Sequence, residues 1–151
     1  MATNYSGMEL EGIDEMMRHV KELGYIIDAE VEDEMVKEAA DHFKNAVENS
    51  PLTPVSPYQK KHGKDHFLVV KIGDGDYEVG IDEKFFYMYM HEIGADGGVY
   101  KVKDRSSPLD GEYVVTPDVQ KRPFFRPTFE NEIDEMQRKM GRVLKRRLGL
   151  E

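Results

Sequence analysis

The chain has no cysteine among its 151 residues. That removes disulfides, thiol catalysis and thiolate zinc sites together, and it fits synthesis inside a cell. Long apolar runs are missing as well. No 18-residue hydrophobic stretch occurs, which excludes a membrane-spanning helix. The amino terminus, MATNYSGMELEG, lacks a basic segment followed by an apolar one, so no secretory signal is expected. Catalytic motifs are equally scarce. The chain contains no Gly-x-Ser-x-Gly, phosphate loop or dinucleotide fingerprint. His91-Glu92 opens like a zinc-protease motif, but Ala95 stands where the second histidine is needed. Asp74, Asp76, Glu78 and Asp82 have a calcium-loop look, yet the required glycine would fall at Val79, and these acids suit a hairpin turn better. His19, His42, His62 and His66 are scattered. No catalytic residue, metal ligand or cofactor site is expected, and the chain reads as a non-enzyme.

What is present describes one very soluble globular domain, with 39% hydrophobic and 34% charged residues and enough length to bury a core. The net charge of −9 is unevenly placed. Residues 1–50 carry 13 acids against 4 bases, whereas Arg138, Lys139, Arg142, Lys145, Arg146 and Arg147 crowd one short segment without an acid. Opposite charge at the two ends suits head-to-tail contact between copies, with Arg138, Arg142, Lys145, Arg146 and Arg147 as the candidate charged interface. Two solvated faces that merely differ are an equal alternative. Specific nucleic-acid binding is not expected, because an acidic protein repels phosphate and no stacking aromatics accompany the basic cluster.

Along the chain, Ile13, Met16, Met17, Val20 and Leu23 predict a short amphipathic helix ending at Gly24. Residues 1–27 form an acidic helical extension, and residues 28–151 a single domain. Asp28 is placed to cap a second helix whose face is Val31, Met35, Val36, Ala39, Phe43, Ala46 and Val47, with Pro51 ending it. Residues 50–65 hold three prolines and read as a long, locally basic loop. Phe67 to Ile72 reads as a buried strand, and Tyr77 to Ile81 as its hairpin partner across Gly73–Asp76. Phe85 to Ile93 predicts a short buried helix capped at Gly94. Val99 to Lys103 and Tyr113 to Thr116 predict two more strands around the loop Asp104–Gly111.

The stretch from Gln120 to Leu148 organises the rest. Pro123 and Pro127 bracket Phe124, Phe125 and Arg126 in a stiff approach, because each ring fixes φ and restricts the residue before it. Phe129, Ile133, Met136, Met140, Val143, Leu144 and Leu148 then recur at three- and four-residue steps, a single apolar stripe. Acids crowd its opening turns and bases its last, which complements the helix dipole. The stripe reads first as a helix covering the domain's own sheet. Adjacent Phe124 and Phe125 point apart on most backbones, so one of them is a candidate for contact with a neighbouring copy. The order of elements predicts an α+β fold: a small antiparallel or mixed sheet of about four strands, a long C-terminal helix against it, and helices at the N-terminus.

Two segments, FYMYMHEIGA (Phe86 to Ala95) and RPFFRPTFE (Arg122 to Glu130), resemble motifs found in this order in tail-component proteins of tailed bacteriophages. Those are small neck proteins of the tail-completion or head–tail joining type, also frequent in prophages, and the likeness spans roughly residues 30–148. It implies a non-enzymatic virion protein, made in the bacterial host cytoplasm, that forms a ring of six copies at the head-proximal end of the tail. Its partners would be itself, tail-tube or terminator proteins and head-connector proteins, around a channel that can pass DNA. Within that picture Phe124, Phe125 and Arg126, with Pro123 and Pro127, would lock the last helix onto the sheet or a neighbouring subunit. Tyr87, Tyr89, Glu92 and Gly94 would support the core or the ring contact. Two other readings stay open on the residues alone: a small metal-assisted hydrolase using His91 and Glu92, and a monomeric adaptor whose basic helix binds an acidic partner.

Overall fold

A computed structural model describes residues 13–22, 28–55, 63–103, 108–109 and 111–150. In chain order these form α1 (Ile13–Glu22), α2 (Ala29–Asn49), β1 (Phe67–Gly73), β2 (Asp76–Ile81), α3 (Tyr87–Ile93), β3 (Gly98–Lys101), β4 (Tyr113–Thr116) and α4 (Phe125–Arg147). The class is α+β, with the long helix at the C-terminus. The expected stop at Gly24, residues 56–62 of the basic loop and much of the 104–111 loop lie outside the described residues.

α2 and α4 lie antiparallel and make the centre of the protein. Asp28 caps α2 as its side chain suggests, its Oδ1 accepting the Val31 N–H at 2.9 Å, and the helix stops before Ser50. The two apolar stripes close on each other: Val31, Met35, Ala39, Phe43 and Val47 from α2 meet Phe129, Met136, Met140, Val143 and Leu144 from α4. Met17 of α1 is buried in the same cluster. Where α4 was expected to cover the sheet, it runs along α2 instead, and α2 covers the β1–β2 hairpin. The reason is length. A 23-residue helix presents an apolar face of roughly 35 Å, which only another long helix matches, whereas the hairpin contributes one buried side chain, Phe67.

Besides Phe67, Val79 and Ile81, which pack on the core, polar contacts fix the hairpin to α2. The Asp33 carboxylate accepts from Lys71 Nζ at 2.8 Å, the Tyr77 hydroxyl at 2.8 Å and the Gly75 N–H at 3.1 Å. These donors, Lys71 foremost, hold the Asp33 pKa down at about 2. The opposite face of β1 is not covered. Leu68, Val70 and Ile72 are 45–53% exposed, so the expectation of a buried strand fails on this face.

The four strands do not join into one sheet. β1 pairs with β2 and β3 with β4, each an antiparallel two-stranded ladder. The base of the second ladder is tied elsewhere: Ala95 and Val119 form an isolated bridge, and the Arg122 N–H donates to the His91 carbonyl at 2.7 Å. That joins it to the end of α3 and the approach to α4 rather than to β1 or β2. α3 also departs from the buried helix expected over Phe85–Ile93. It starts at Tyr87 after a 3-10 turn and buries only Met88, while Phe86, Tyr89 and Ile93 stay 45–59% exposed. A near-continuous apolar run puts apolar residues all round a helix, and this one has a neighbour on one side only.

Candidate assembly interface

α4 begins without a cap of its own. Its N-cap position is Phe124, which has no side-chain acceptor, and its first turn carries no acid. The first N–H groups of a helix need partners from outside the helix. Here they come from α3: Glu92 Oε2 accepts the Phe124 and Phe125 N–H groups at 2.7 and 2.9 Å, and Oε1 accepts that of Arg126 at 3.1 Å. One carboxylate thus gathers three consecutive donors at the positive end of the helix dipole. This also explains why helix starts at Phe125, two residues before Pro127. The proline disfavours helical geometry at Arg126, and the three bonds to Glu92 oppose that preference. Gly94 ends α3 with φ +78°, a conformation that suits glycine, and brings the chain back beside Lys121.

The two phenylalanines both turn inward. Phe124 is 2% exposed and Phe125 half-buried. Phe125 meets Phe43 edge-on at 4.8 Å between ring centroids and lies parallel to Phe67 at 6.1 Å; Phe43 in turn meets Phe129 at 5.2 Å. This aromatic knot joins α2, β1 and α4. Tyr87 is half-buried against the core, Tyr89 is largely exposed, Pro123 is exposed, Pro127 half-buried, and Arg126 is exposed with its Nε on Glu130 at 2.9 Å.

The charge asymmetry is answered inside the chain. Arg147 and Arg146 reach Glu34 at 2.5 and 2.7 Å, Arg147 also reaches Glu30 at 3.1 Å, and Lys139 reaches Glu38 at 3.3 Å. Arg138 and Arg142 share Glu135 at 3.2 and 3.0 Å, and Lys145 is exposed. The Arg147 guanidinium, seconded by Arg146, holds the Glu34 carboxyl below its usual range. Acidic α2 and basic α4 therefore meet in one copy, and most of these cations already have a carboxylate within reach.

Both members of the His91-Glu92 pair have other surroundings than a zinc site. Both Glu92 oxygens hold backbone N–H groups, burial and the nearby Arg122 push the His91 pKa down, and among the described residues no three His, Asp or Glu side chains are grouped to hold a metal. No helix among them is long and apolar enough to cross a membrane.

Much of the apolar surface left open to solvent lies on the hairpins. On β3–β4, Val99 pairs with Val115 and Lys101 with Tyr113, so these four share a face. Val99, Tyr113 and Val115 are 64–75% exposed. Among the described elements, the strands of this hairpin make substantial contacts only with each other. No family model, curated protein or solved structure matches the chain. Sequence reasoning missed the role of the hairpin faces, because a short apolar strand reads the same whatever covers it.

Proposed function

We propose that the chain is a structural virion protein of a tailed phage or prophage, acting in tail completion or head–tail joining as a ring at the neck. The observation that carries this reading is the Glu92 clamp. The two segments that resemble the phage tail-component motifs, 86–95 and 122–130, are joined by three hydrogen bonds from consecutive N–H groups to one carboxylate. They act as one structural device, as a shared family architecture would require. Uncovered apolar surface on both hairpins supports self-assembly further, because exposed apolar patches mark sites of association. Six copies in the ring, placement at the neck, and tail-tube, terminator and connector proteins as neighbours follow from the resemblance.

Molar mass by light scattering, from micromolar to near-millimolar protein, tests the reading. A discrete closed oligomer is the expected result. The flanking genes give an independent check, since the reading expects portal and tail-tube genes beside this one. A monomer at every concentration, encoded among metabolic genes, would refute it.

A further inference from the structure

Two uncovered faces on the same chain have complementary chemistry. The first is the β3–β4 face of Val99, Tyr113 and Val115, with Lys101 Nζ lying 5.9 Å from the Tyr113 ring centroid and Lys103 exposed two residues on. The second is the outer face of β1–β2. There Leu68, Val70 and Ile72 alternate along β1, and Glu78, paired with Val70, shares their side, with Asp76 two residues before it. The basic residue of this hairpin, Lys71, is turned to the other side and held by Asp33. One face is thus apolar with a cationic margin, and the other is apolar with an anionic margin.

We propose that the β3–β4 face of one copy docks on the outer β1–β2 face of the next, with Lys101 set against Glu78. Because the two surfaces differ, the contact is heterologous and repeats from copy to copy, closing into a ring when the rotation allows. It rests on the assembly reading above and names the surfaces through which assembly occurs. The need for a cover comes from β3–β4 itself: an isolated two-stranded hairpin is marginal in water, and among the described elements this one is anchored only at its base, beside the end of α3. Charge complementarity selects a second copy as that cover. The six apolar side chains would remove on the order of 700 Å² from water, below the ~1,200 Å² of an ordinary stable pair. One contact alone is therefore weak, and a closed ring, in which every copy makes two, is favoured over a dimer.

The absence of cysteine makes the test direct. Val70→Cys and Val115→Cys are each prepared alone, mixed, and oxidised under assembling conditions. Both positions are at least half exposed, so neither change disturbs the core. Disulfide-linked pairs of one variant with the other are expected, well above the yield of either variant alone. In parallel, Lys101→Glu and Glu78→Lys should each weaken assembly by ~10-fold, and the double variant should regain it. An oligomer that forms normally but links only like with like, or ignores both charge changes, would overturn this pairing and leave the assembly reading standing. A wild-type chain that never associates would sink both.

Discussion

Removing the Glu92 carboxylate should cost more than an ordinary helix cap. In Glu92→Ala three consecutive N–H groups lose their acceptor, and the first belongs to Phe124, a residue 2% exposed. A single cap is worth ~1 kcal/mol, and a buried donor left unsatisfied costs ~1–3 kcal/mol. Since Arg126 is exposed and can turn to water, the expected loss is ~2–3 kcal/mol. For a chain of this length that lowers the midpoint of thermal unfolding by roughly 5–10 °C. Glu92→Gln keeps one oxygen for the Phe124 and Phe125 donors and should lose only ~1 kcal/mol. Glu92→Asp, one methylene shorter, falls short of the donors and should behave like alanine. Circular dichroism melts of the four proteins give the order wild type, Gln, then Asp with Ala. Hydrogen exchange should quicken first at residues 124–126. An alanine variant within ~0.5 kcal/mol of wild type, or an aspartate variant as stable as wild type, would refute the clamp as a source of stability.

Three further outcomes follow from the core and the hairpin. Phe125→Ala should cost ~2–3 kcal/mol by urea unfolding, less than a fully buried phenylalanine, because the ring is only half-buried between Phe43 and Phe67. Met140 is fully enclosed, so Met140→Asp strands a charge in the apolar core and should abolish the cooperative thermal transition; a folded variant would mean that α4 buries a different face. Asp33 has a pKa of about 2 in the fold, below its unfolded value, so the stability it contributes is complete above about pH 4 and fades as pH falls toward 2. The stability advantage of wild type over Asp33→Asn should shrink across that window, and an advantage independent of pH would exclude the assigned contacts.

The sequence by itself determined the elements. Helix α2 was legible from Asp28, the stripe from Val31 to Val47 and Pro51, because caps and 3.6-residue periodicity are local properties. The stripe of α4 was equally legible, and five of its seven positions are buried. The β1–β2 turn at Gly73–Asp76 was fixed by its own glycines and aspartates. Partnership was decided only in three dimensions. An apolar stripe states that a helix face is covered, not by what, and α4 met α2 because their lengths and charges match. The acceptor for the start of α4 lies 32–34 residues upstream in sequence, beyond any local pattern. Two-residue periodicity could not tell whether Val70 or Val115 would be buried, since an apolar strand face reads the same whether its cover comes from its own chain or from another.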